Sequence, residues 1–221
     1  MRLVIFNGSP RGLKSNSLTI MKHFQEEIQS SSSENEAETV NLIEYQKDYS
    51  PIHERLIKAD VALFAFPLYV DSMPGFVMEF FESLLVLKDS LKGKIFLFSI
   101  QCGFPETINL RAVEKLLERL PGKLGATYGG CICRGGMEGA RYMPEDYPAF
   151  QKYRELGKIY AETGKLDPEI LVELAKPERI PKPMMLIARM LNFTGIFNGY
   201  WNRQLKANGS YNRRFARPYK P

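Results

Sequence analysis

Cysteine, histidine and tryptophan are all scarce in this chain. The three cysteines, Cys102, Cys131 and Cys133, have no C-x-x-C spacing. That argues against a disulfide framework, fits a reducing, cytoplasmic setting and leaves no run for an iron–sulfur cluster. The two histidines, His23 and His53, stand alone, without metal-ligand spacing, and are expected on the exposed faces of helices. No metal site is expected. The opening residues MRLVIF lack the separate charged and apolar regions of a signal peptide. There is no G-x-G-x-x-G, which counts against a dinucleotide-binding first turn, and no internal repeat.

Acid is missing from one whole segment. Residues 181–221 carry eight Lys and Arg and no Asp or Glu, against 22 basic and 25 acidic side chains in the rest of the chain. The excess positive charge therefore belongs to a tail. No recognition motif accompanies it, so no nucleic-acid partner is expected. Between Met184 and Trp201 the only charge is Arg189. Leu186, Met190, Phe193, Phe197, Trp201 and Leu205 recur three or four apart, as one helical stripe. Asn192, Thr194 and Asn198 make this stretch too polar for the roughly 20 apolar residues a membrane span needs. A helix packed on its own domain or on a partner subunit is preferred to a helix lying at a membrane surface.

Two wholly apolar runs are present, Leu3–Phe6 and Val61–Phe66. Each reads as a strand buried on both faces of a parallel sheet. Further strands are expected at Thr39–Ile43, Ile95–Ile100 and Thr127–Arg134. Helices are expected at about 18–28, 52–59 (capped by Ser50 before Pro51), 76–87, 110–120 and 149–163. Strand and helix alternate five times, the pattern of an open, doubly wound parallel sheet with helices on both faces. The division expected is a domain over 1–176 and an extension over 177–221.

Three loops should meet at the carboxyl edge of that sheet. The first, after Phe6, holds Ser9, Arg11, Ser15, Asn16 and Ser17 just before a helix. Its hydroxyl and amide groups, beside the unpaired N–H groups of a helix start, suit a phosphate. Gly8 to Ser15 falls one residue short of the nucleoside-triphosphatase pattern G-x-x-x-x-G-K-[ST]. Leu13 stands where the second glycine belongs, and no aspartate ends the third strand to hold magnesium. The second loop runs from Pro67 through Leu68, Tyr69, Val70, Asp71 and Ser72 to Pro74-Gly75, and Tyr69 offers a flat face to a planar ring. The third is Gln101, Cys102, Gly103 and Phe104. Gly103 lets backbone N–H groups approach a ligand. With no histidine nearby in sequence to activate it, Cys102 reads as a small wall residue.

GSPR followed by SNS, then PLY-x-x-x-MPG, then CGF, resembles the flavodoxin-like family of NAD(P)H-dependent FMN reductases and quinone reductases. The likeness covers about residues 2 to 165. It implies strand order 2-1-3-4-5 and noncovalent FMN at the carboxyl edge. Ser9, Arg11, Ser15, Asn16 and Ser17 would hold the phosphate, Pro67 to Ser72 would run along the ring, and Gln101 to Phe104 would close its far side. It further implies NADH or NADPH as donor, a small acceptor such as a flavin or quinone, and a homodimer or homotetramer. No essential catalytic residue is named, because the cofactor carries the chemistry. The alternative is an FMN electron carrier that takes no hydride. The connection 135–148 is longer than usual. It reads either as a lid, with Arg141 and Tyr142 meeting the substrates, or as packing across a dimer.

Overall fold

The computed structural model describes residues 1–195, 198–217 and 219. Five strands, β1 (Arg2–Asn7), β2 (Glu36–Asn41), β3 (Val61–Pro67), β4 (Ile95–Gln101) and β5 (Thr127–Arg134), form one sheet. All pairings are parallel and the order is β2-β1-β3-β4-β5. Helices α1 (Asn16–Ser31), α2 (Ser50–Lys58), α3 (Gly75–Ser83), α4 (Arg111–Leu124) and α5 (Pro148–Thr163) alternate with the strands. The short α6 (Pro168–Leu174) follows.

Alternation along β1 divides the core in two. Val4 and Phe6 face one layer, with Phe64, Phe80 and Phe98, while Leu3 and Ile5 face the other, with Phe24, Phe150 and Tyr153. Successive side chains of a strand point to opposite faces, so one apolar run serves both layers. Aromatic stacking fills the first layer: the Phe6 and Phe64 rings lie 5.2 Å apart, and Phe64 and Phe98 5.6 Å.

Several element bounds differ from expectation. β2 starts at Glu36 and ends at Asn41, because Leu42–Tyr45 turns into a 3-10 helix. The Asn41 amide closes that turn on Glu44 Oε1 at 2.9 Å. α2 begins at Ser50, whose N–H is received by Asp48 Oδ1, so Asp48 and not Ser50 supplies the capping oxygen. α3 stops at Ser83, whose hydroxyl donates back to the Phe80 carbonyl, and 3-10 turns continue to Leu91. His23 is not on the surface: it is 1% exposed and stacked 4.3 Å from Phe150. His53 is half-buried, its Nε2 2.9 Å from Ser83 Oγ.

The chain forms two compact units, Met1–Arg179 and Ile180–Pro221. The first runs three residues past the expected 176. Its β4–α4 connection holds that end, with Thr107 N–H on Pro177 O at 3.0 Å and Arg111 paired to Glu178. In the second, the expected single stripe is two helices, α7 (Lys182–Phe193) and α8 (Gly199–Ala207). Gly195, at φ +74°, lies between them. Phe197 lies outside the described residues.

Candidate functional site

The β1–α1 turn is built around Asn7. Its Nδ2 donates to Gly12 O (3.0 Å) and Asn41 Oδ1 (2.9 Å), and its Oδ1 accepts from Ser9 N (3.3 Å) and Ser15 Oγ (3.2 Å). Ser15 caps α1 by accepting the Leu18 N–H at 3.1 Å. Gly8 allows the close approach to α3 and β3: a Cβ there would stand 2.6 Å from Val77 Cγ2 and 3.0 Å from Phe66 Cβ. Beyond this hub the first N–H groups of α1, from Asn16 and Ser17, have no carbonyl one turn earlier in the helix. With the dipole's positive end they form an anion-binding surface.

The loops after β3 and β4 are tied to one another and to that turn. Leu68 N–H donates to Gln101 O at 2.8 Å, and Gln101 Nε2 reaches Ser17 Oγ at 3.5 Å. Together the three loops open a cleft lined by Ser9, Arg11, Asn16, Pro67, Leu68, Tyr69, Gln101, Cys102 and Gly103, with Glu138 completing it. Nine of the residues expected at the site therefore converge. Ser15 and Ser17 do not face the cleft. Both are buried and engaged beneath it, so they hold the turn's shape. Val70, Asp71, Ser72 and Phe104 also lie outside the lining. Val70 and Asp71 sit at the tip of a tight reversal closed by mutual Tyr69–Ser72 backbone hydrogen bonds, both with positive φ (49° and 59°).

Glu138 was not legible as a site residue. It arrives from the β5–α5 connection, which straps the other loops together. Gly136 N–H bonds Phe104 O at 2.7 Å, and Met137 N–H bonds Cys102 O at 3.0 Å. Asn16 Nδ2 donates to Glu138 O at 2.6 Å, and Asn16 Oδ1 accepts the Arg141 N–H at 3.3 Å. The Glu138 carboxylate pairs with Arg11 at 3.3 Å. Two of the five side chains expected to hold a phosphate, Arg11 and Asn16, are thus engaged by this strap. Length alone marked the connection; the partner of its carboxylate is set by the fold. Burial pushes the Cys102 thiol up, and its Sγ donates to Phe104 O at 3.4 Å, as expected of a wall residue rather than a nucleophile.

The donor set fits a phosphorylated planar group: helix-start N–H groups, the Ser9 hydroxyl and Arg11 at one end, and the exposed Tyr69 face and the β4 loop at the other.

No curated protein matches the sequence. Among solved structures, an FMN-dependent NADH-azoreductase from Bacillus anthracis in complex with FMN is similar, at 16% identity and a TM-score of 0.54, covering 73% of this chain and 98% of that one. An NADH:FMN oxidoreductase in its apo form is also similar (16% identity, TM-score 0.56, 80% and 96% covered). So is the two-electron reduced flavodoxin of Megasphaera elsdenii (17% identity, TM-score 0.50, 74% and 100% covered). The fold thus serves enzymes and flavodoxins alike. A family model described as "Flavodoxin-like fold" matches residues 1–147, and with the 2-1-3-4-5 parallel sheet this chain belongs to that family.

Proposed function

We propose that this protein is an FMN-containing oxidoreductase that takes reducing equivalents from NADH or NADPH and passes them to a small acceptor such as a flavin or quinone. The observation that carries the reading is the convergence of Ser9, Arg11 and Asn16 with Leu68–Tyr69 and Gln101–Gly103 on one cleft at the carboxyl edge of β1, β3 and β4. That edge is where the strand order reverses, between β1 and β3.

FMN, when bound, supplies the hydride chemistry. The chain's own residues bind and orient. The opening turn of α1, with Ser9 and Arg11, neutralises the phosphate. Tyr69 and Leu68 form one wall. Gln101 fixes the second loop to α1 through Leu68 and Ser17, which holds the walls at a constant spacing. The Cys102 thiol stays protonated and packs. A donor and an acceptor that use the same open cleft in turn give ping-pong kinetics.

The test is the visible spectrum of the purified protein, followed by NADH and NADPH oxidation with FMN and a quinone. Oxidised-flavin bands with steady turnover support the enzyme. Bands without turnover select the electron carrier. A colourless protein that fails to bind added FMN overturns both.

A further inference from the structure

The residues that line the cleft all belong to the unit Met1–Arg179, and the composition of the unit Ile180–Pro221 is unlike the rest of the chain. None of the residues of α7 is buried. Met184, Met185, Leu186, Ile187, Met190 and Phe193 are all exposed, Phe193 to 96%. Eight cations and no acid accompany them between 181 and 221. Two of the cations, one at the end of α8 and one after it, sit on aromatic rings: Lys206 lies 5.0 Å from the Tyr211 ring centroid, and Arg214 lies 4.0 Å from that of Tyr211 and 4.7 Å from that of Phe215. Trp201, half-exposed on α8, is the chain's one tryptophan.

From this pairing of an uncovered apolar helix with unopposed positive charge, we infer that the C-terminal unit docks along the surface of an anionic lipid bilayer. α7 has twelve residues, which span about 18 Å, against a hydrocarbon core of about 30 Å. Among the described residues no helix is long and apolar enough to cross a membrane. The helix therefore lies in the interface, with Met and Leu side chains among the upper acyl chains and Lys and Arg at the phosphates. Aromatic rings carrying cations suit the headgroup level, where one side is apolar and the other wet. A polynucleotide would neutralise the cations but leave the apolar side chains of α7 in water. A second copy of the same unit would bring eight more positive charges and no acid to meet them. An anionic bilayer satisfies both features at once.

The test uses the full-length protein and large unilamellar vesicles, with cosedimentation and Trp201 emission as readouts. Neither readout needs bound flavin, so failure here is distinguishable from failure of the FMN reading. Vesicles with about 30% phosphatidylserine are expected to bind at least about tenfold more tightly than pure phosphatidylcholine vesicles. Binding should weaken between about 50 and 500 mM salt, and Trp201 emission should shift to the blue. The double substitution M190E/F193E, at two exposed positions, should lower binding at least about tenfold with circular dichroism unchanged. Three results overturn the inference. One is no cosedimentation at low salt. Another is binding by M190E/F193E equal to the parent, which would select a simple polyanion site. The third is a tail-dependent dimer that ignores vesicles.

Discussion

The Arg11 guanidinium and the Glu138 carboxylate lie 3.3 Å apart across 127 residues of sequence. The carboxylate thereby occupies the guanidinium that, in the function proposed, would meet the FMN phosphate. Both side chains are nearly half-exposed, so the pair is worth on the order of 0.2–1 kcal/mol. Glu138→Gln is therefore expected to tighten FMN binding by up to about fivefold, because Arg11 no longer has a competing anion. Arg11→Gln should weaken binding, and the double variant should show no further gain from the Glu138 change. Fluorescence titration of the apoprotein measures all three, and an unchanged Kd for Glu138→Gln would remove Glu138 from the competition.

Asn7 is fully buried and makes four hydrogen bonds. Asn7→Ala strips partners from Asn41, Ser9 and Ser15 together and should cost about 2–4 kcal/mol, since buried polar groups are left unpaired. Ser15→Ala loses the α1 cap and should cost about 1 kcal/mol. Urea unfolding reads both. Equal losses for the two variants would show that Asn7 is not the hub.

Val70 has φ +49° and is 99% exposed. A β-branched residue there carries backbone strain of about 1–2 kcal/mol that no packing offsets. Val70→Asn should recover about 1 kcal/mol, because asparagine tolerates the left-handed region. A lower unfolding midpoint for Val70→Asn would contradict the strain.

Burial, then the charge of Arg154, lowers the His23 pKa below 6.5, with Glu145 and Glu26 opposing and Lys22 adding to the lowering. Burial likewise lowers that of His53, against Asp48. Between 6.5 and these depressed values the unfolded chain binds more protons than the folded one. Stability is thus fully present above 6.5 and is lost as pH falls below it. His23→Phe, which keeps a ring against Phe150, should flatten the stability curve between about pH 7 and pH 5. Urea midpoints across that range check it; a slope equal to the parent's would assign the loss to other groups.

The sequence by itself determined the sheet. Leu3–Phe6 and Val61–Phe66 are too apolar to sit anywhere but between two layers, and Thr127–Arg134 formed as read. It also determined which three loops meet, because loops after parallel strands leave the same edge. Tertiary structure alone decided who faces the cleft. Ser9, Ser15 and Ser17 are chemically alike, yet only Ser9 lines it, because Asn7 and Gln101 claim the other two from below. Glu138 went unread, and His23 was expected at the surface, for the same reason. A side chain's exposure and partner are set by what folds against it from far along the chain, and no local pattern encodes that.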